Sequence, residues 1–176
     1  LSRTKCAMAF LMMKQRMKLL ATCFLLILFC SSGATAAPGA LPGDQAPVFS
    51  LPALDGQRVQ VDFAGKLTVL NFWAVRCPYC REEMPDLAAF ESAYRSRLMV
   101  YAVDIREPAD RVQRYMSENN FTLPVLLDNK GELAKMYAVE TIPTTLLIDA
   151  KGNVVFRKTG VMSRFEMEMK IAGQLQ

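Results

Sequence analysis

Leu67-Thr68-Val69-Leu70-Asn71-Phe72-Trp73-Ala74 leads through Val75-Arg76 into Cys77-Pro78-Tyr79-Cys80, and Arg81-Glu82-Glu83 follows. The first eight residues are almost continuously apolar, as a strand buried on both faces is. From Arg81 to Ala93 the pattern reads as a helix, extending over Glu82 to Arg95, with Leu87, Phe90 and Tyr94 three and four residues apart. Two thiols two residues apart therefore stand at a strand-to-helix junction. There the unpaired N–H groups and the macrodipole of the helix start stabilise a thiolate. A low-pKa thiol with a second thiol in reach is the apparatus of thiol–disulfide exchange.

The other three cysteines, Cys6, Cys23 and Cys30, lie in an N-terminal stretch that does not read as fold. Lys14, Arg16 and Lys18 precede the apolar run Leu19 to Phe29, and small residues follow up to Ala34-Thr35-Ala36. That order is the n-region, h-region and A-x-A site of a secretory signal peptide. Cleavage is expected after Ala36, with Met17 as the natural start and a retained membrane anchor as the alternative. The run is shorter than the ~20 residues that span a bilayer. Without residues 1–36, 16 basic residues face 17 acidic ones, a net of −1 against +4 for the whole sequence. The positive charge is thus a targeting signal and gives no warrant for a nucleic-acid partner. Cys77 and Cys80 remain as the sole thiols. A loop closed by two intervening residues constrains little of the unfolded chain, so this pair is not a structural staple. The sequence has no His, which removes Cys–His and Ser–His–Asp hydrolase chemistry and, with no further Cys remaining beside Cys77 and Cys80, leaves structural zinc short of its four ligands.

Working outward, residues 37–47 are rich in Pro and Gly and read as a linker before a domain over 48–176. Phe49 to Leu54 and Arg58 to Asp62 read as a hairpin around Asp55-Gly56. Further strands are expected over 98–104, 123–127, 144–149 and 153–158, and helices over 108–119, 132–137 and 164–175. The order β-α-β-α-β-α-β-β-α predicts one mixed sheet with helices on both faces.

Several motifs share one order. They are Asn71-Phe72-Trp73-Ala74-x-x-Cys77-x-x-Cys80-Arg81-x-Glu83-x-Pro85, Leu126-Leu127-Asp128-x-x-Gly131, Ile142-Pro143-Thr144-Thr145, Leu147-Ile148-Asp149-x-x-Gly152 and Gly160. With the lead-in Ala46-Pro47-x-Phe49-x-Leu51 they resemble the TlpA/ResA/CcmG branch of exported thioredoxin-like proteins over residues 44–173. The resemblance implies an α/β thioredoxin fold with an N-terminal β-hairpin extension and a central αβ insertion. It implies a periplasmic thiol:disulfide oxidoreductase without a cofactor. In that reading Cys77 is the attacking sulfur and Cys80 the resolving one. Glu83 is a buried acid that tunes the thiols and relays a proton. Trp73, Ile142 and Pro143 contact substrate, Pro143 through a cis-proline loop.

Departures from the branch bear on redox poise. Arg76 stands where the branch usually has Trp, and its charge beside Cys77 is expected to lower the thiol pKa or to touch the partner. Pro78-Tyr79 places proline after the first cysteine, and Asn71 replaces the buried Asp of thioredoxin. The expected partners are exported proteins held through mixed disulfides, with cytochrome c maturation or metal-site cysteines as candidate tasks. A membrane electron donor of DsbD or CcdA type is expected to recharge the dithiol. The alternatives are a disulfide oxidase or isomerase acting on exported proteins, and a redox-inactive binding or metallochaperone module.

Overall fold

In the computed structural model, residues 41–175 are described; the expected signal peptide lies outside them. The hairpin forms from β1 (Phe49–Pro52) and β2 (Arg58–Val61), paired antiparallel with Phe49 opposite Val61. The central elements are β3 (Leu67–Trp73), α1 (Pro78–Tyr94), β4 (Leu98–Ile105), α2 (Ala109–Glu118), β5 (Val125–Asp128) and α3 (Glu132–Met136). Then come β6 (Thr144–Ile148), β7 (Val154–Thr159), α4 (Arg164–Lys170) and a closing 3₁₀ turn at Ala172–Leu175.

The other five strands make one sheet in the order β5-β4-β3-β6-β7. β3, β4 and β5 run parallel, while β6 runs antiparallel to both β3 and β7. The mixed α/β fold expected from the sequence is therefore present. β3 holds the centre because both its faces are covered. Val69 and Trp73 join a core with Met84, Leu87 and Phe90 of α1, Val112 and Met116 of α2, and Met167 of α4. Leu70 and Phe72 join a second core with Phe49, Val61, Leu133, Ala134 and Tyr137. One face is thus helical, and the other is closed by the hairpin and α3. Among the described residues no helix is long and apolar enough to cross a membrane.

Several boundaries differ from the sequence reading, three of them with a clear physical reason. Helix α1 begins four residues earlier than Glu82, because Pro78 is its first residue, a position where the fixed φ and absent N–H of proline are favourable. The last helix stops at Lys170, since Ile171 turns fully inward and the chain tightens into a 3₁₀ turn around Gly173. The segment read as a linker is docked from Gly43 onward. The Gly43 and Ala46 N–H groups donate to the carbonyls of Val154 and Gly152 at 2.8 Å, and Val154 N–H returns a bond to Asp44 at 2.9 Å.

Candidate active site

At the C-terminal end of β3 the chain makes a tight turn, Ala74 to Cys77, closed by Cys77 N–H donating to the Ala74 carbonyl at 3.1 Å. Cys77 is then the N-cap of the 17-residue helix α1. Its sulfur does what a serine oxygen does at such a position: it accepts the Cys80 backbone N–H, at 3.2 Å. Cys77 and Cys80 are disulfide-bonded, with Cα atoms 5.3 Å apart. Cys77 is half-buried and Cys80 buried, so an incoming thiol or disulfide meets Cys77 first. Pro78 and Tyr79 between them are exposed, Tyr79 by 65%.

The antiparallel register of β3 and β6 sets Phe72 opposite Thr144 and so carries the preceding loop to the sulfurs. The Ile142–Pro143 peptide is cis, and Cys77 Sγ lies 3.7 Å from the Ile142 carbonyl oxygen. Gly160 N–H donates to the Pro143 carbonyl at 2.8 Å, which anchors the loop to the end of β7.

Glu83 sits three residues beyond Cys80 on the inner side of α1 and is only 2% exposed. Asn71 Nδ2 donates to Oε1 at 2.7 Å, and Met162 N–H donates to Oε2 at 3.0 Å. The same Asn71 amide donates to Thr145 Oγ1 at 2.9 Å. One carboxyl thus ties α1 to β3, β6 and the β7–α4 connection. Burial raises its pKa from 4.5 to about 7, against the pull of both hydrogen bonds, which favour the anion. A carboxyl of that pKa exchanges protons efficiently near neutrality.

Two expectations change. Trp73 does not face substrate: it is wholly buried, its ring packed 5.6 Å from that of Tyr115. Its position on the inner face of β3, in line with Val69 and Asn71, leaves it no other direction. Arg76 is exposed, but its guanidinium reaches back to the Ile105 carbonyl at 3.0 Å and to Glu107 at 3.7 Å. Its charge is therefore shared with an acid that the sequence reading did not single out. A cleft of about 480 Å³ adjoins the proline loop, lined by Arg76, Ile105, Arg106, Lys135, Glu140 and Ile142 among others.

The AhpC/TSA family model matches residues 42–157. Thioredoxin-like protein YneN of Bacillus subtilis is 37% identical over 137 residues, covering 76% of this chain and 80% of that protein. Thiol-disulfide oxidoreductase ResA of the same organism is 32% identical over 161 residues, 86% of this chain and 90% of the relative. A crystal structure of a putative thiol:disulfide interchange protein DsbE from Chlorobium tepidum superposes with a TM-score of 0.71 at 28% identity. It covers 77% of this chain and 99% of that one. A dithiol capping a helix beside a proline loop, on this scaffold and with these relatives, makes the protein a thiol–disulfide oxidoreductase, and the chain belongs to the AhpC/TSA family of thioredoxin-like proteins.

Proposed function

We propose that this oxidoreductase is exported and reduces disulfides of specific partner proteins through Cys77 and Cys80. The observation that carries the reading is the half-buried Cys77 sulfur at the cap of α1, 3.7 Å from the carbonyl that precedes Pro143. The Cys77 thiolate attacks one sulfur of a client disulfide; that S–S bond breaks and a mixed disulfide forms. The Cys80 thiolate then attacks Cys77, the client leaves as a dithiol, and the pair closes as the disulfide. Two electrons pass to the client, and the Glu83 carboxylate accepts the proton that the Cys80 thiol must lose. Ile142 and Pro143 offer backbone to the client, and the adjoining cleft seats its chain.

Arg76 supports the reducing direction. A free cation beside Cys77 would stabilise the thiolate and so the reduced form, which raises the potential and makes the disulfide form a stronger oxidant. Its engagement with Glu107 offsets that push. Export follows from the signal-like leader. A membrane electron donor of DsbD or CcdA type would restore the dithiol, and cytochrome c maturation or metal-site cysteines are candidate tasks. The test is a Cys80→Ala variant expressed in the source cell: mixed disulfides on Cys77 identify the clients. A standard potential below about −200 mV is expected. A value near the ~−120 mV of a strong periplasmic oxidant would reverse the direction and support an oxidase or isomerase.

A further inference from the structure

Glu107 is 5% exposed and stands behind the turn that leads into Cys77. Its carboxylate accepts the two central N–H groups of that turn, from Val75 and, at 3.1 Å, from Arg76. Arg76 and Arg111 each approach it at 3.7 Å. One side chain thus clamps the backbone immediately before the cap of α1. The preceding residue, Arg106, is held in the left-handed region at φ 60°. That conformation is unfavourable for a residue with a Cβ. It is fixed by its N–H bond to the Asp128 carbonyl at 3.2 Å.

Asp104 lies three residues earlier, on β4. It is 1% exposed, and neither carboxylate oxygen has a donor among the described residues. It follows Val100 and Ala102 on the inner face of β4, in register with Trp73 of β3, in the same core as Cys80. A buried carboxylate without donors is among the costliest groups a fold can hold. A protonated one is not, and the neighbouring Glu107 offers it an acceptor.

We propose that Asp104 is a positioning residue: its carboxyl proton is donated to Glu107, and this bond holds Glu107 as the clamp on the Val75 and Arg76 peptide groups that set Cys77 at the helix cap. Burial first, and then the Glu107 carboxyl, raises the Asp104 pKa well above the usual carboxylate range, to about 8, with Arg76 and, least, the Glu107 peptide N–H, which lies nearby without completing a hydrogen bond, opposing. The other titratable or charged groups shown to face the pair are Arg76 and Arg111, which approach Glu107, and Tyr115, Cys77 and Cys80, which share the core that Asp104 enters. The proposal rests on Cys77 being the attacking sulfur. When Asp104 ionises, two anions face each other and the clamp weakens, so the device works at neutral pH and fails in alkali.

The experiment has two arms on the whole protein. Carbon-13 carboxyl NMR follows Asp104 in the oxidised state, without a client, in wild type and Glu107→Gln. A midpoint near 8 that falls by about one unit or more in Glu107→Gln is expected, since the neighbouring anion is replaced by a neutral amide whose oxygen is a weaker acceptor for the Asp104 proton and whose NH2 can donate to the Asp104 anion. In the reduced state, the pH dependence of alkylation gives the thiolate fraction of Cys77. Asp104→Asn keeps a donor for Glu107 and is expected to stay within about twofold of wild type at pH 7. Asp104→Ala is expected to lower that fraction about tenfold, the scale of one lost charge-assisted hydrogen bond. Thermal unfolding checks that both variants are folded. Titration of Asp104 in the ordinary carboxylate range overturns the proposal, as does an Asn variant as impaired as the Ala variant. The carboxyl titration is independent of which sulfur attacks and of electron direction, so its failure is distinct from a failure of the proposed function.

Discussion

Glu83 and Asp104 are buried acids on the same side of one sheet, near the same two sulfurs, and the chain surrounds them in opposite ways. Glu83 receives two donors, from Asn71 and Met162. Asp104 receives none among the described residues and has another acid, Glu107, as its neighbour. Both carboxyls are raised, the first to about 7 and the second to about 8. Two well-placed donors do not outweigh burial at Glu83, but they keep its anion within reach at neutral pH. Without donors, Asp104 is held as the acid. The pair shows that burial sets the direction of a shift, whereas donor supply sets which protonation state the site is built around.

The largest effect that separates the two acids is kinetic. Glu83→Gln is expected to slow resolution of a Cys77 mixed disulfide about a hundredfold at pH 7, the scale of a lost proton-transfer group. Rapid-mixing kinetics read this, and the inflection near pH 7 disappears with it. A variant that keeps both rate and inflection would place proton transfer elsewhere.

Stability comes next. Because the folded-state pKa of Glu83 is raised, its proton stabilises the fold below pH 4.5, and that contribution is lost as pH rises through 7. The loss is about 3 kcal/mol over this window. Denaturant titrations should show the wild type falling across it, with a shallower fall in Glu83→Gln. Asn71→Ala removes one donor from Glu83 and the bond to Thr145. It should raise the Glu83 pKa further, seen by carboxyl NMR, and cost about 1–2 kcal/mol. The smallest effect belongs to Arg76→Ala. A half-exposed ion pair with Glu107 contributes less than about 1 kcal/mol, so the thiolate fraction of Cys77 should change by less than about threefold. A much larger change would give Arg76 the direct influence on the sulfur that its sequence position suggests.

Much of this was legible from residues alone. The run from Leu67 to Ala74, the thiol spacing and the alternation of later strands carry the fold, because continuous burial of a parallel sheet leaves an unmistakable apolar signature. The start of α1 was not legible from periodicity: Pro78 and Tyr79 point outward and carry no apolar rhythm, and only the preference of proline for a first helical position marks them. The strand read from Leu123 begins at Val125, because Pro124 has no N–H for the ladder. Glu83 stood in the charged run Arg81-Glu82-Glu83, and helical phase alone turns it inward. Glu107 and Asp104 were missed. The available signal was an acid at every-second-residue spacing from Val100 and Ala102 in an otherwise apolar strand, which places a carboxyl among core side chains.

The docking of Gly43 to Ala46 against Gly152 to Val154 has a practical consequence. Ile148, opposite Thr68, marks the end of the sheet remote from the sulfurs, and the turn that follows it receives this strap. Leu41 itself therefore lies toward the pole facing away from Cys77. An affinity handle, a fluorescent fusion or a solid support coupled at Leu41 in place of the residues before it is anchored at the end of the sheet remote from the sulfurs.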